Sequence, residues 1–353
     1  MGAAFRVIDT GLRGGGENLA FDQALIEARA ASEVGDTIRF LHFTPCALLG
    51  RHQVCGHEID LAACAARGIE IGRRITGGGA IYLDPGQLGW ELVFSRGSLG
   101  GGTLSEAAER ICVAAAAGLS RLGVAARFRP RNDLEVEGRK LGGTGGFFDG
   151  EVLFYQGTVL VDFDAEAMLT ALRLPAAKLA RHGVAAMLER MVSLRDLLGA
   201  APPMALVQDA LLEGFAQELG IVPVPALVSA AEEARARAAF RDELGTDAFV
   251  FEPSVPDDLA RWGTAEARYP GGGVRVDLCR DHRGYLRDVL ITGDFFVTPP
   301  RLIRDLEARL RGVAAEDAGA ISASFLAACA AGLLSLLPED VARVVGAAAE
   351  AAP

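Results

Sequence analysis

The sequence predicts an α+β fold divided into two domains. Apolar runs typical of strands alternate irregularly with amphipathic helical stretches, and several connections between strands are short enough for hairpins. That order favours α+β over a doubly wound parallel sheet. The length of 353 residues indicates two domains, or one large domain with an appendage. We place the boundary near 245, which gives domains 1–245 and 246–353.

The composition is that of a globular protein with ample material for a core. Hydrophobic residues make up 50% of the chain and charged residues 23%, which excludes disordered and fibrous classes. Lysine and arginine number 35 against 46 aspartate and glutamate, a formal net charge of -11. Because so acidic a chain suits neither nucleic acid nor a membrane surface, we expect neither as a partner.

Cysteine usage and the N-terminal residues indicate a cytoplasmic protein. The six cysteines are scattered and form no CxxC pair, so a reduced compartment is expected and a zinc site is not. The N-terminal residues lack the apolar stretch of a signal peptide. The uncharged segment 318–337 is long enough to span a membrane, but twelve of its residues are Ala, Gly or Ser. Its larger apolar residues recur at helical spacing, and we interpret it as a buried helix.

Periodicity predicts the elements of the first domain in order. Helices are predicted over 18–28, 61–67, 105–122, 165–172, 193–198, 205–218 and 232–241. Strands are predicted over 38–43, 47–50, 69–71 and 88–94, with short strands separated by glycines between 128 and 157.

The second domain is predicted to be a small α+β module. Its predicted strands cover 274–278 and 285–291, and its predicted helices cover 300–311 and 321–337. The only low-complexity segment is the alanine-rich stretch 345–353.

A glycine loop that follows two arginines is the first candidate for a binding site. Arg73 and Arg74 supply donors for a carboxylate or phosphate, and Thr76 and Gly77–Gly79 let the backbone approach a ligand closely. A hairpin turn beside two solvated arginines is the alternative. The loop matches neither the phosphate loop of NTPases nor the dinucleotide turn, so neither class is supported.

A second glycine-rich segment contains a lysine. Lys140, set among glycines, can approach a phosphoryl or acyl group as a point charge, and Asp133 can hold Mg2+ on the same phosphates. The alternatives are an exposed hairpin lysine and a turn aspartate. Two cationic glycine segments in an acidic chain indicate an anionic small molecule as the ligand.

Other hydrolytic chemistries find no support in the sequence. The five histidines form no HxxxH or HExxH pair, which argues against a zinc hydrolase. No GxSxG elbow is present for a serine hydrolase.

Four motifs, in order and spacing, resemble those of lipoate-protein ligases. They are RRITGGGAIYLDPGQL (73–88), RNDLEVEGRKLGGTGG (131–146), YQGTVLVDFDAEAMLTAL (155–172) and KLARHGVAAMLERMVSLRDLL (178–198). The segments NLAFDQALI and GRHQ match as well, and WGTAEARY (262–269) and LITGDFF (290–296) are similar to the C-terminal accessory domain of that family. The resemblance covers most of residues 1–200 and continues into the second domain.

The resemblance implies a fold and a reaction. The fold is a class II synthetase-like domain with a mixed sheet and flanking helices, plus a small α+β C-terminal domain. The reaction has two steps: the carboxylate of lipoate or octanoate attacks the α-phosphate of ATP to give an acyl-adenylate, which then acylates a lysine of a carrier protein. ATP, Mg2+ and a lipoyl-domain or glycine-cleavage-H-like carrier are the implied partners.

The resemblance also implies roles for individual residues. Lys140 is expected to contact the adenylate phosphate and the acyl carbonyl, with Asp133 at the metal. The remaining residues that the resemblance places at the lipoate or the adenylate are Arg73, Arg74, Thr76, Gly77, Gly78, Gly79, Asn132, Gly157, Thr158, Lys178 and Gly183.

Several positions depart from the family pattern. Thr76 replaces a common Ser, Gly142–Gly143–Thr144 replaces a run with an additional hydroxyl, and Gln156 replaces a common His. Gly89-Trp90-Glu91 stands where a smaller polar run is usual. These departures favour a specialised ligase that serves one dedicated carrier.

Three alternatives remain beside the ligase. An octanoyl or lipoyl transferase of the same fold works without ATP; some of these use a cysteine nucleophile, and no cysteine lies between Cys112 and Cys279. A non-catalytic paralogue that binds lipoylated domains would not need Lys140 and Asp133. Biotin ligation is disfavoured because biotin enzymes have an alternating Gly-Arg run in the glycine loop.

Overall fold

The computed structural model describes residues 2–130, 132–173, 188–254, 258, 261–299, 301–329 and 336–353. By their internal contacts, the residues form two compact units. Unit 1 comprises Met1–Leu48, Ile59–Gly72 and Ile81–Thr246, and unit 2 comprises Leu49–Glu58, Arg73–Ala80 and Asp247–Pro353. Two short segments of the N-terminal half therefore group with the C-terminal residues.

Eleven strands are described in the first 246 residues. In chain order they are β1 (Ala3–Arg13), β2 (Thr37–Phe43), β3 (Cys46–Leu49), β4 (Glu70–Arg73), β5 (Ile81–Leu83), β6 (Gln87–Ser95), β7 (Arg127–Arg129), β8 (Asp133–Val136), β9 (Arg139–Asp149), β10 (Val152–Leu160) and β11 (Ile221–Pro225). Eight form one mixed sheet in the order β11-β1-β2-β6-β10-β9-β8-β7. Its β11-β1-β2 part is parallel and the pairs from β2 to β7 are antiparallel.

Nine α-helices are described up to residue 251. They are α1 (Gly15–Ala30), α2 (Cys55–Glu58), α3 (Leu61–Arg67), α4 (Leu104–Ser120), α5 (Ala165–Ala171), α6 (Leu194–Leu198), α7 (Met204–Leu219), α8 (Ala230–Ala239) and α9 (Asp247–Phe251). Helix α4 begins where the Thr103 hydroxyl accepts a hydrogen bond from Glu106 N and the Glu106 carboxylate accepts one from Thr103 N.

The main core of unit 1 joins the large sheet to α4 and α7. Trp90 and Phe94 on β6 pack with Ile111 and Leu119 of α4 and with Phe215 of α7. Gly118 on α4 lies where a Cβ would meet the Ala210 carbonyl oxygen at 2.3 Å, so the two helices approach closely.

A smaller three-stranded sheet, β4-β3-β5, lies at the points where the chain passes from one unit to the other. Its strands contribute to a second apolar cluster in unit 1. The members of that cluster are Leu19, Leu41, Phe43, Cys46, Leu48 and Leu83.

The C-terminal part of unit 2 is an antiparallel sheet covered by helices. The strands are β12 (Gly263–Tyr269), β13 (Gly272–Arg280) and β14 (Leu286–Gly293), followed by α10 (Leu302–Leu310), α11 (Ala318–Ala328) and α12 (Pro338–Ala351). Val276, Ile291, Phe295, Leu306 and Val345 belong to its buried core.

The α+β fold class predicted from the sequence is confirmed, and two local predictions are corrected. Strands β9 and β10 are long rather than short, because their glycines lie within the pairing instead of interrupting it. The helix predicted over 321–337 begins at Ala318 and ends at Ala328; residues 330–335 lie outside the description. The alanine-rich stretch 345–353 includes the C-terminal half of α12, in which Val345, Ala348 and Ala349 are buried. Among the described helices, none combines the length and apolarity that crossing a bilayer requires.

A fully buried charged network joins α1 to the large sheet. The Arg39 guanidinium, with no exposed surface, donates to Asp22 Oδ1 at 2.7 Å and to Glu91 Oε1 at 3.1 Å. It also donates to Asn18 Oδ1 at 2.7 Å. Burial, followed by the negative charge of Glu91, raises the pKa of Asp22 well above its ordinary value.

Candidate functional site

The backbone N–H and C=O groups of Lys140 are both hydrogen-bonded. Lys140 N donates to the Arg190 carbonyl at 2.7 Å, and Val192 N donates to the Lys140 carbonyl at 2.9 Å. These bonds join β9 to the segment that directly follows residues 174–187. Both backbone groups are therefore satisfied, and the lysine is fixed at its base while its side chain keeps 39% exposure.

The Lys140 ammonium is paired with Asp133 on the neighbouring strand. Lys140 Nζ lies 2.8 Å from Asp133 Oδ1, and Arg129 donates to Asp133 Oδ2. Burial alone would raise the pKa of Asp133, but the Lys140 charge and the hydrogen bonds from Lys140 and Arg129 hold it below its ordinary value. One carboxylate thus lies between two cations.

Glycine at 143 makes room for the lysine side chain. A Cβ there would lie 2.9 Å from Lys140 Nζ and 3.2 Å from its Cε. Glycine at 143 therefore leaves space for the Lys140 side chain, whereas a Cβ at Gly142 would lie 1.9 Å from the Thr158 carbonyl oxygen.

Asn132, Thr144 and Tyr155 are joined by hydrogen bonds that form a polar layer, in which Thr144 lies on the lysine strand β9. Asn132 O accepts a hydrogen bond from Thr144 N at 2.7 Å, and Asn132 Nδ2 donates to Thr144 O at 3.2 Å. The Thr144 hydroxyl lies 2.8 Å from the Tyr155 hydroxyl, and Cys112 Sγ lies 3.2 Å from that Tyr155 oxygen. The layer fixes Asn132 where β8 begins.

Gly157 and Thr158 lie on β10, next to the same strand. Gly143 N donates to Thr158 Oγ1 at 3.5 Å, a long bond. A Cβ at Gly157 would lie 2.2 Å from the Trp90 ring, so glycine is required there by packing against Trp90. The Trp90 ring thus occupies the space that the missing side chain of Gly157 leaves.

Whether a magnesium ion fits at Asp133 depends on the donor atoms around that carboxylate. Among the residues that the structure describes, no group of three or more His, Cys, Asp or Glu side chains is arranged to hold a metal. Mg2+ commonly takes one or two carboxylates and completes its shell with substrate phosphates and water. Asp133 fits such a shared site only if Arg129 or Lys140 releases one of its oxygens.

Arg73, the first arginine before the glycine loop, has no exposed surface. Its guanidinium donates to the carbonyls of Gly50 at 2.9 Å and Gln53 at 2.7 Å. It also donates to the carbonyl of Val250 at 3.0 Å. Burial, with the nearby charge of Arg51, lowers the pKa of Arg73 to about 10. These hydrogen bonds of Arg73 are all made to backbone carbonyls of unit 2.

Arg74 braces the glycine loop itself. Its Nη2 donates to the carbonyls of Gly77 at 3.2 Å and Gly79 at 2.8 Å, and burial lowers its pKa to about 10. Thr76 is buried, and its carbonyl accepts a hydrogen bond from Arg51 N at 2.9 Å. The loop is ordered by its own arginine.

The predicted site residues fall into two groups. Lys140, Asp133, Asn132, Gly157 and Thr158 lie together on β8, β9 and β10 of unit 1. The glycine-loop residues Arg73, Arg74, Thr76, Gly77, Gly78 and Gly79 lie in unit 2. Lys178 and Gly183 lie outside the described residues.

Sequence reasoning missed Arg129, Phe295 and Phe296. Arg129 is opposite Asp133 across the β7–β8 hairpin, and its spacing of four residues was the available signal. Phe295 and Phe296 end the LITGDFF segment of the accessory-domain resemblance, but their contact with the glycine loop exists only in the folded chain.

The cysteines, all within the described residues, are withdrawn from solvent. Five are buried and Cys329 is intermediate in exposure. Burial raises the pKa of the thiols of Cys46, Cys64 and Cys112. Because the thiolate is the reactive form, these three are poor nucleophiles.

Comparisons with known proteins identify the family of the chain. Residues 15–216 match the family model of the lipoyl protein ligase A/B catalytic domain. An octanoyltransferase LipM of Kyrpidia tusciae is 32% identical over 252 residues, which cover 65% of this chain and 92% of that protein. A probable lipoate-protein ligase A of Mycoplasma pneumoniae is 26% identical over 187 residues, or 52% of this chain and 54% of that protein.

Solved structures share the fold. A crystal structure of P. falciparum LipL1 in complex with lipoate superposes with a TM-score of 0.76 over 98% of both chains, at 13% identity. A lipoate-protein ligase A bound with ATP has a TM-score of 0.60 at 23% identity and covers 71% of this chain and 99% of that one. With the extent of the family match, these findings show that the chain belongs to the lipoyl protein ligase A/B family of the biotin and lipoate ligase superfamily.

Proposed function

We propose that this protein is an ATP-dependent lipoate-protein ligase. The carboxylate oxygen of lipoate or octanoate attacks the α-phosphorus of ATP, and pyrophosphate leaves. The amine of a carrier lysine then attacks the acyl carbonyl of the adenylate, an amide forms, and AMP leaves with the carboxylate oxygen. Both steps develop negative charge, which fixed cations stabilise.

The burial of the cysteine thiols is the observation that supports the proposal most directly. Acyl transfer through a thioester needs an accessible thiolate, whereas five cysteines are buried and Cys329 is only partly exposed. The adenylate route needs no thiol. It needs a cation at the α-phosphate, and Lys140 combines a fixed backbone with a partly exposed ammonium.

Asp133 and Arg129 are proposed to control the position and charge of Lys140. In the free protein the Asp133 carboxylate holds the Lys140 ammonium at 2.8 Å. An arriving phosphate offers Lys140 a second anion, while Arg129 continues to neutralise Asp133. Lys140 then moves to the substrate without leaving a buried charge unpaired. We propose Mg2+ as a shared ligand of Asp133 and the ATP phosphates.

The glycine loop is proposed to receive the acid. Arg74 and the backbone of Gly77–Gly79 suit the carboxylate end of the acyl chain. Arg73 is proposed to support the loop through its hydrogen bond to the Gly50 carbonyl. The likeness to a lipoate-bound and an ATP-bound structure supports this pair of substrates. From the family resemblance we propose that Lys178 and the loop 179–187, which includes Gly183, contact the adenylate; these residues lie outside the described part of the chain. We further propose a cytoplasmic location. The enzyme is proposed to serve one dedicated carrier, which is a lipoyl domain or a glycine-cleavage-H-like protein.

Lipoate-dependent exchange between ATP and pyrophosphate tests the proposal. We expect exchange that requires lipoate or octanoate, and we expect Lys140→Ala to lower it by about 10²- to 10³-fold, the usual cost of removing one donor to the transition state. Arg139→Ala is the matched control, because Arg139 is the adjacent residue and pairs with the exposed Glu137. Equal loss in both variants would remove Lys140 from the chemistry.

An ATP-independent octanoyl or lipoyl transferase is the second candidate. The similarity to octanoyltransferase LipM over 92% of that protein favours it. In that case acyl transfer from an octanoylated carrier would proceed without ATP, and exchange with pyrophosphate would be absent. A cysteine-to-alanine series would then identify the thiol.

A further inference from the structure

We propose that Phe295 and Phe296, called here the phenylalanine shelf, position the glycine loop 77–79 for the acyl substrate. The shelf directly follows β14, far from the loop in sequence, and belongs to the same unit. The inference rests on the proposed function, because it takes the loop to be where the acid binds.

The shelf contacts the loop through backbone and ring. Gly78 N donates to the Phe295 carbonyl oxygen at 3.2 Å. A Cβ at Gly77 would lie 2.1 Å from that same oxygen, and a Cβ at Gly78 would lie 2.8 Å from Cζ of the Phe296 ring. Gly78 also has a φ of +94°, which favours glycine. The triple glycine is therefore shaped by the shelf.

The loop is also in close contact with two residues outside the shelf, Gly50 and Arg74. A Cβ at Gly50 would lie 1.9 Å from the Gly78 carbonyl oxygen. Arg74 ties Gly77 and Gly79 together from within the loop. Gly50, Arg74 and the shelf thus leave the loop little freedom, and removing one of them releases it.

The shelf itself is anchored in the core of unit 2. Phe295 has no exposed surface and belongs to the buried cluster of that unit. The His52 ring stacks on Phe295 with centroids 5.1 Å apart and an angle of 18°, and Gly293 N donates to the His52 carbonyl at 3.0 Å. Burial, with the charges of nearby arginines, lowers the pKa of His52 to about 3, so the stacked ring is neutral at physiological pH.

Preorganisation is the consequence for binding. A loop that is already ordered loses less conformational entropy when it binds the acid. The affinity for the acid is therefore higher, whereas the affinity for ligands that bind elsewhere is unaffected. Loss of the Phe296 ring is therefore expected to weaken binding of lipoate and octanoate. Affinity for ATP is expected to stay unchanged. Phe296 is in this sense a positioning residue.

The test compares Phe296→Ala with Phe325→Ala in the full-length protein. Phe325 is a partly buried phenylalanine of the same unit, on α11, where it lines a separate cavity with Ile321 and Ser324. For Phe296→Ala we expect the Kd of lipoate, measured by calorimetry, and its KM in pyrophosphate exchange to rise about tenfold, the effect of ordering one or two groups on binding. The KM for ATP should stay within about twofold. Phe296→Leu, which keeps an apolar side chain against Gly78, should restore most of the affinity and serves where the alanine variant does not fold.

Distinct outcomes separate the two proposals. An unchanged lipoate Kd in Phe296→Ala overturns the shelf. A Kd in Phe296→Leu as weak as that of Phe296→Ala, or an equal loss in Phe325→Ala, overturns it as well. Wild-type protein that binds lipoate without exchanging pyrophosphate overturns the ligase and leaves the shelf to be judged by the Kd values. A rise in the KM for ATP equal to that for lipoate indicates general damage and also counts against the shelf.

Discussion

At the scale of single residues, the central feature is one carboxylate between two cations. Asp133 holds Lys140 through Oδ1 and Arg129 through Oδ2. Because Asp133 is largely shielded while Lys140 is 39% exposed, the carboxylate orients the lysine more than it neutralises it. A geometry set in this way is sensitive to small displacements.

Asp133→Asn is predicted to lower the rate of pyrophosphate exchange by about 10²-fold, the cost of a misplacement near 1 Å. An amide cannot hold the ammonium as an ion pair, so Lys140 loses its orientation although its charge remains. The folded state should persist in circular dichroism. Asp149→Asn, at the exposed end of β9, the strand that carries Lys140, is the control. An Asp133→Asn enzyme with a wild-type rate would show that the pair has no part in catalysis.

At the scale of elements, local signals determined which boundaries could be predicted. Helix α3 was predicted over 61–67 and has those bounds, since the Asp60 side chain accepts from Ala63 N and Gly68 ends the helix in the left-handed conformation. Strands β9 and β10 were predicted too short, because glycine in a strand resembles a break in the sequence. The reason for those glycines, close contact with Lys140 and Trp90, exists only after folding.

The buried network that joins α1 to the sheet gives a prediction about stability. Arg39→Leu is expected to lower the free energy of unfolding by about 3–5 kcal/mol, because Asp22 and Glu91 would remain buried without their cation. Urea denaturation measures the change. Arg127→Leu, which removes an arginine with 67% side-chain exposure paired to Glu135, should change it by less than about 1 kcal/mol. Similar losses in the two variants would contradict the assignment.

At the scale of the whole molecule, the candidate site residues are carried by two units. The motifs themselves could be found from the sequence, including Lys140 and the glycine loop. The grouping of 49–58 and 73–80 with the C-terminal residues could not, because it depends on contacts such as Gly78 with Phe295, more than 200 residues apart.

The stability of unit 2 is predicted to depend on pH through Glu307 on α10. Burial raises the pKa of this carboxyl from 4.5 to about 7, although Ile291 N donates to it at 2.7 Å and Arg304 and Arg311 oppose the rise. The folded state thus binds a proton that the unfolded state gives up at about 4.5, so the stabilisation is complete below that pH and is lost as the pH rises to about 7.

We expect the wild-type free energy of unfolding to fall by up to about 3 kcal/mol relative to Glu307→Gln between pH 4.5 and 8. The glutamine variant cannot titrate and should lack this slope. Parallel urea denaturation curves of the two proteins across that range make the measurement. A constant difference between them would contradict a raised pKa at Glu307.

The route of one oxygen atom tests the proposed reaction most directly. Lipoate labelled with 18O in its carboxylate is incubated with the protein, ATP and an unlipoylated carrier, and the released AMP is examined by mass spectrometry. Adenylate formation predicts one 18O atom in AMP for each lipoyl group on the carrier lysine. Lipoylated carrier formed without labelled AMP, or formed from an acylated carrier in the absence of ATP, would contradict the ligase.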